Sequence, residues 1–459
     1  MVNTYKHPNI TLYTYSDIIE FNGIPGNYRC TIRKNARYVD ETKCTGCGLC
    51  TTKCPIKVPN EFDRGIGERG AIYIPFPQAV PNYAVLDKSV CIDCKNCQRI
   101  CPAEAINFDQ EPEYIDINVG AVIIATGYDE YPIMETNNYN YGIYPDIITQ
   151  IELERMLSPI GPTFGHVHRI SDAQIPNTIV MIQCVGSRSV KELPYCSAVC
   201  CCVALKNAQL LKQEYPEMDI ILFYIDIRTS DKGNEEYYRK IRDSGVRMIR
   251  GKVGEIVEDS DTKKLKIRAY SSLTGEIIKI NADLVVLSTG MILSKGSADI
   301  IDIIGLSKGP DGFLTEVHGC LSPQETTNMG IYICGCAAGP KNIPYSVSTA
   351  LAAASKVATL LSHDIIKQEL IIAEVENSLC MGCHRCEKVC YYQAIKVGED
   401  NIAVVDDLKC KGCGVCVTSC PARAIDLIYY RDTQFIEEIK GIGSSEIKPV
   451  QKAQKIKEN

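Results

Sequence analysis

Cys44-Thr45-Gly46-Cys47-Gly48-Leu49-Cys50-Thr51-Thr52-Lys53-Cys54-Pro55 is the stretch on which the reading of this chain turns. Its spacing, C-x2-C-x2-C-x3-C-P, returns at Cys91, Cys94, Cys97 and Cys101 before Pro102. It returns again at Cys380, Cys383, Cys386 and Cys390, and at Cys410, Cys413, Cys416 and Cys420 before Pro421. Three thiolates this close together take three irons of a [4Fe–4S] cubane. In a tandem pair, each motif lends its fourth cysteine to the other cluster. A zinc ribbon pairs C-x2-C units and has no use for a third cysteine three residues on. The two tandem pairs therefore predict two ferredoxin-like modules and four cubanes in a protein that carries electrons.

The rest of the composition narrows the class. With 459 residues the chain is long enough for two to four domains, and 45% hydrophobic residues make it globular. Its 25 cysteines would suggest disulfides in a secreted protein, but the polar start around Lys6 and His7 is no signal peptide. The thiols are expected as metal ligands in a reducing cytoplasm. No run approaches 18 apolar residues, so no membrane span is expected. A net charge of −7 argues against nucleic acid as a partner. The histidines (His7, His166, His168, His318, His363, His384) form no ligand or triad pattern.

Five regions follow from this pass. Residues 1–37, with an apolar strand at Ile10–Tyr15, are too few for a domain and read as a fragment of a larger core. Residues 38–114 form the first ferredoxin module, with an unusually long insertion between its motifs, and it sits in a loop of that core. Residues 115–370 alternate strands and helices, the mark of an α/β fold with parallel sheets. Buried parallel strands are expected at Ala121–Ala125, Thr178–Ile182, Ile220–Tyr224 and Leu284–Leu287. Helices are expected at Ser197–Glu214, Asn234–Ser244 and Val347–Leu361. Residues 371–430 make the second ferredoxin module, and residues 431–459 a charged tail whose end, Lys448–Asn459, is disordered.

Gly65-x-Gly67-x-x-Gly70 spells a dinucleotide fingerprint, but neither a buried strand before it nor a helix after it can be built from its neighbours. It reads as a loop. Better flavin signals are the strand ends Thr126-Gly127 and Thr289-Gly290, where glycine lets a cofactor approach the backbone at the carboxyl end of a sheet. Ordinary α/β punctuation explains them equally well. A third candidate is the turn containing Gly335, Cys336, Gly339 and Ile343, which opens a helix whose free N–H groups suit an electron-rich ring. Between these lie Cys184, at the end of a buried strand, and Cys196, Cys200 and Cys201, where the next helix begins. A Rossmann unit would carry its glycines in that strand–turn–helix. Here the four thiols can hold a fifth cubane; core thiols or a redox disulfide are the competing reading.

The segments Tyr38–Cys47, Tyr73–Val80, Gln183–Arg188, Tyr195–Cys201, Ala204–Ala208 and Gly335–Lys341 together resemble the A subunit of heterodisulfide reductase, an iron–sulfur flavoprotein family of methanogens and related anaerobes. The resemblance covers all but the tail. It implies a thioredoxin-reductase-like flavoprotein core with one ferredoxin domain inserted and another appended. It also implies that Cys184, Cys196, Cys200 and Cys201 ligate a cluster beside FAD, and that Lys206 lies near the isoalloxazine. On residue type alone Lys206 is a surface helix lysine.

The implied activity is electron transfer among a two-electron donor, FAD, ferredoxin and a disulfide such as that of coenzymes M and B, by flavin-based bifurcation. The implied partners are subunits B and C, ferredoxin, and a hydrogenase, formate dehydrogenase or similar electron-input subunit. A non-catalytic relay subunit with little or no flavin is the alternative. The family's first cluster domain and the GxGxxG half that holds the ADP of FAD have no counterpart in this sequence, so a separate chain carrying that half, or a truncated fragment, is expected. Two smaller departures are Tyr391 in place of proline after Cys390, and Cys336 where general flavoprotein disulfide reductases carry aspartate.

Overall fold

Long β-branched runs fix the centre of the molecule. The computed structural model describes every residue except 137, 364, 366–369 and 445–459. In chain order the core elements are β1 (Ser16–Ile24), β2 (Asn27–Lys34), β3 (Glu113–Val119), β4 (Val122–Ile124), β5 (Tyr128–Glu130), β6 (Ile147–Thr149), α1 (Gln150–Leu157) and β7 (Thr178–Val185). They continue with α2 (Cys200–Glu214), β8 (Asp219–Tyr224), α3 (Asn234–Asp243), β9 (Arg247–Glu258), β10 (Leu265–Ser271), β11 (Ile277–Ala282) and β12 (Leu284–Thr289). The last are β13 (Met291–Leu293), α4 (Lys295–Ile304), β14 (Ile331–Ile333), α5 (Ile343–Leu361) and α6 (Asp432–Ser444).

The main sheet has seven strands in the order β6-β12-β7-β8-β9-β10-β11. The first five pair in parallel and the last two extend it as an antiparallel meander. The expected parallel sheet is present, and an antiparallel extension makes it mixed. The cause is β9: its first residues pair with β8, while Gly251–Glu258 run on alone and fold back against β10. Strand alternation sorts the core into two layers. Ile179 and Met181 pack under α1, α2 and α3, while Val180 and Ile182 face the meander side.

Two further expectations change. Ile10–Tyr15 is not a strand; its large apolar side chains lie in solvent and the first strand begins at Ser16. Ala121–Ala125 does contain a parallel strand, β4, but it pairs only with β14 in a two-stranded sheet, so Ile123 stays exposed. Residues 432–444, read as charged tail, are helical, and the rest of that tail (445–459) lies outside the described residues.

β2 and β3 are antiparallel neighbours with the register Lys34↔Glu113 to Tyr28↔Val119. The first ferredoxin module springs from between them, which explains why so short an N-terminal piece is ordered. The module docks on α1. Asp63, in its inserted loop, accepts from Arg155 Nε at 2.9 Å and Nη2 at 2.8 Å, and Arg155 also stacks 4.5 Å from the centre of the Phe62 ring. Both partners are largely buried, at 13% and 14% side-chain exposure. Arg64 adds a 2.7 Å pair to Glu130 on β5. The glycines of the apparent fingerprint serve this loop. Gly65 turns it with φ +82°, and a methyl at Gly70 would sit 2.9 Å from Cys54 Cβ.

Removing one partner of a buried ion pair strands the other charge, at a cost of about 3 kcal/mol or more. Asp63→Ala is therefore expected to lower the denaturation midpoint and to speed proteolysis between residues 55 and 90, with iron content unchanged. Protection equal to the parent protein would show that the docking does not rest on this pair.

Candidate electron-transfer centres

The four motifs fold alike. Each places its third cysteine (Cys50, Cys97, Cys386 or Cys416) buried on a helix of one turn, and each helix is preceded by a residue in the left-handed region: Gly48, Lys95, His384 or Gly414. Between the first and second cysteines, Gly46, Gly382 and Gly412 also have positive φ. A Cβ at any of them would come within 2.5 Å of a facing backbone carbonyl. Asp93 adopts the same conformation in the second motif.

The fourth cysteines cross over. One small cavity is walled by Cys44, Cys47, Cys50 and Cys101. Another is walled by Cys410, Cys413, Cys416 and Cys390. Burial pushes the Cys50 and Cys416 thiols up to about 11, and each is raised further by the other three cysteines of its set. Such thiols keep their protons at neutral pH unless a metal displaces them. Among the described residues no three His, Cys, Asp or Glu side chains close around a single ion.

Backbone N–H groups point at the sulfurs. Cys101, Cys390 and Cys420 each accept from the alanine four residues on, at 3.3–3.4 Å. Cys54 accepts instead from Ala71 at 3.2 Å, because the insertion follows it directly. Hydrogen bonds to sulfur favour the reduced, more negative cluster and raise its potential.

The central cysteines gather at the carboxyl ends of β7 and β12. The β7–β12 register slips between Ile182 and Val185, and Cys184 takes a φ of +61° there. A bulge of this kind re-aims a side chain next to a functional site. Here it aims Cys184 toward Cys196 and the first turn of α2. Cys184, Cys196, Cys200 and Cys201 all act on one another electrostatically, while Cys202 turns away to Asn234. Burial drives the Cys200 thiol strongly up and Cys201 to about 11. At Cys184 the rise from burial is partly offset by Arg188, itself fixed by Asp226. Cys200 Sγ lies 3.7 Å from the carbonyl of Thr289.

The flavin candidates divide into two groups. Thr126 and Gly127 lie beside Gly335 and Cys336, because β4 and β14 pair from Val122↔Ile331 to Ile124↔Ile333 and end together. Thr126 Oγ1 is 2.5 Å from Ser297 Oγ, and the Gly335 N–H bonds Thr349 Oγ1 at 3.0 Å. At Gly127, φ is +76° and nothing lies within 4 Å of where a methyl would stand, an open approach for a ring. Gly339 faces Lys341, and Ile343 opens α5 with 81% exposure, its helix capped by Asn342. Thr289 and Gly290 belong instead with the central cysteines, and Thr289 Oγ1 bonds Glu130 at 2.8 Å. Tyr128 on β5 joins the groups: burial raises its phenol, and Glu130, Cys336 and Cys200 all add to the rise. Lys206 stands apart on the outer face of α2, paired with Glu154 of α1.

Sequence reading missed Lys341, half-buried beside Cys336, whose ammonium is destabilised by burial and supported by Cys336, Glu316 and Asp311. A lysine in a glycine- and proline-rich turn was the available signal. It also missed Tyr128 and Glu130, which have no motif of their own.

A 4Fe-4S dicluster domain model matches residues 373–427, and 4Fe-4S binding domain models match 37–59 and 88–107. The iron–sulfur A subunit of the CoB–CoM heterodisulfide reductase of Methanocaldococcus jannaschii is 47% identical over 447 residues, 96% of this chain and 68% of that protein. The chain belongs to the family of heterodisulfide reductase A subunits. A second member, the A subunit of the H(2)/formate:CoB-CoM heterodisulfide,ferredoxin reductase of Methanococcus maripaludis, is 48% identical with the same coverage. As a member of this family the chain is an iron–sulfur oxidoreductase component. Among solved structures, thioredoxin reductase of T. acidophilum overlaps at a TM-score of 0.34 with 16% identity, covering 55% of this chain and 68% of that one. The Lactococcus lactis enzyme overlaps at 0.34 with 14% identity, covering 64% of this chain and 84% of its own. Overlap so loose carries no weight here. Among the described residues no helix is long and apolar enough to cross a membrane.

Ligand exchange in this family member predicts a pattern of iron loss. Cys44→Ala with Cys101→Ala should remove the same cluster as either alone, about four irons. Cys91→Ala with Cys101→Ala should remove two clusters, about eight. The reverse pattern, by iron analysis of the purified protein, would mean that each motif keeps its own fourth cysteine.

Proposed function

We propose that this protein passes electrons among five cubanes and a flavin, in an assembly that reduces ferredoxin and a disulfide together by flavin-based bifurcation. The observation that carries the reading is β5, which starts directly after the Thr126–Gly127 turn and ends at Glu130, bonded at 2.8 Å to Thr289, whose carbonyl lies 3.7 Å from Cys200 Sγ; it relates the central cysteines to the Thr126–Gly335 cradle. When bound, cubanes move single electrons, and a flavin converts between electron pairs and single electrons.

The chain's own residues supply the rest. The ferredoxin-module cysteines fix cluster positions through shared ligands, and their backbone N–H groups favour the reduced state. The Gly127 and Gly335 turns offer backbone at close range, and the first turn of α5 offers free N–H groups. Lys206 is assigned to flavin tuning by resemblance; its pair with Glu154 would have to open for the ammonium to reach a ring. Lys341, beside Cys336, is the second candidate for that role.

Among the described residues no buried strand runs through a glycine fingerprint into a helix, so the ADP half of FAD is assigned to polypeptide outside them. The same observation favours the second reading, a relay protein with little flavin. The donor is proposed to be a hydrogenase or formate dehydrogenase, in line with the H(2)/formate wording of the relative's name, with subunits B and C carrying the disulfide chemistry. The assembly is placed in the cytoplasm.

Iron analysis after anaerobic reconstitution is expected to give about 20 atoms per chain, and Cys196→Ala about 16, at four per cubane. A parent value near 16 that Cys196→Ala leaves unchanged would remove the central cluster. Flavin content separates the two readings: the chain alone should hold little FAD, and the native complex one per copy of this chain. A native complex without flavin would establish the relay. In that complex, Lys206→Ala is expected to impair flavin-dependent ferredoxin reduction while sparing iron content. If coupled reduction and flavin potentials stay unchanged, the role passes to Lys341.

A further inference from the structure

Two buried polar side chains beside the central cysteines have no partner among the described residues. Gln183 is 6% exposed, Ser288 1% exposed, and neither the Gln183 Nε2 and Oε1 atoms nor the Ser288 Oγ makes a hydrogen bond. A buried, unpaired amide costs about 1–3 kcal/mol, and such groups persist where something outside the protein satisfies them.

Their position says what that is. On β7, Ile179 and Met181 belong to the core layer under α2, and Val180 and Ile182 to the opposite layer. Alternation puts Gln183 on the α2 side. On β12, Leu284 and Val286 lie in that same layer, which puts Ser288 there too. The register Ile182↔Leu287 makes Gln183 and Ser288 neighbours across the two strands. Because α2 leads from β7 to the parallel strand β8, it runs back along the sheet. Its first turn, with Cys200 and Cys201, therefore covers the carboxyl ends where these side chains lie.

Two contacts tighten the placement. Gln183 directly precedes Cys184, and the carbonyl of Thr289, next to Ser288, is 3.7 Å from Cys200 Sγ. One turn deeper, Asn207 and Gln150 satisfy each other at 2.8 Å, leaving only one atom of each, Asn207 Oδ1 and Gln150 Nε2, unpaired. Gln183 has no such neighbour.

The geometry points to Gln183, with Ser288 beside it, as hydrogen-bond donors to the sulfurs of the central cluster. They are positioning residues that set its potential. This rests on the reading of Cys184, Cys196, Cys200 and Cys201 as a cubane site. Reduction adds one negative charge to the cluster, and a dry, aimed N–H or O–H stabilises that charge more than the oxidised state. Losing the donor makes the cluster harder to reduce, so in the parent protein Gln183 and Ser288 make the central site a better electron acceptor.

The test is an EPR-monitored redox titration of the full, anaerobically reconstituted chain. The central signal is identified as the one that Cys196→Ala abolishes. Gln183→Met keeps the length of the side chain and removes its donor. It should lower the equilibrium constant for reducing that cluster about tenfold, equivalent to about 59 mV for one electron. The ferredoxin-module signals should not move, and iron content should hold. Ser288→Ala should shift the same signal in the same direction by a smaller factor, and it decides the matter if Gln183→Met fails to fold or loses the cluster. Unchanged central potentials with the signal intact overturn the assignment alone. If Cys196→Ala removes neither iron nor any signal, the cubane reading itself falls and takes this assignment with it.

Discussion

Sulfur must be presented to a cube of iron from four directions, and a short loop can supply only three of them. Everything local in the ferredoxin modules follows from that constraint. Three cysteines at spacings of three residues share one turn, which requires left-handed residues at Gly46, Gly382 and Gly412 and again just before each one-turn helix. The fourth cysteine must come from elsewhere. The tandem motifs exchange it, so that Cys101 joins Cys44, Cys47 and Cys50, and Cys390 joins Cys410, Cys413 and Cys416. Within each module the exchange also ties the two motifs around one small apolar cluster that would be a thin core by itself.

The central site proposed above would meet the same demand with different materials. A parallel α/β unit already directs its strand ends and a helix N-terminus to one place. In this chain that place holds four thiols. The bulge at Cys184 supplies one direction, the first turn of α2 supplies two, and the loop cysteine Cys196 supplies the last. The strain of a non-glycine residue at φ +61° is tolerable because Arg188 and its partner Asp226 hold the loop that follows. The polar residues placed under this site are expensive in a protein without a bound group, and their presence argues that the fold is completed by one.

Connection between centres depends on docking. The first ferredoxin module is held to the core by Asp63–Arg155 and by Arg64–Glu130. The second of these reaches β5, the strand that also carries Tyr128 and meets Thr289. One short strand thus touches the inserted module, the central cysteines and the candidate flavin turn. Its sequence, Tyr128-Asp-Glu130, announces none of this.

The iron–sulfur cysteine spacing, the main parallel strands and the helix carrying Cys200 and Cys201 were all legible in the sequence. Each is governed by local rules: ligand spacing, apolar periodicity and turn chemistry read over fewer than twenty residues. Ile10–Tyr15 misled because apolar composition without a partner strand does not make a strand. The meander β9–β11 went unseen because its alternating residues resemble any exposed hairpin until β9 is found continuing a parallel sheet. Which side chains meet across the sheet depended on register and on one bulge. Gln183 became a neighbour of Ser288, and Lys206 turned to Glu154, through contacts between residues 105 and 52 positions apart. Spacing along the chain determined what this protein binds. Tertiary packing alone decided which buried groups lie beside the central cysteines, because burial and hydrogen-bond partners are properties of neighbours that the chain brings together only when folded.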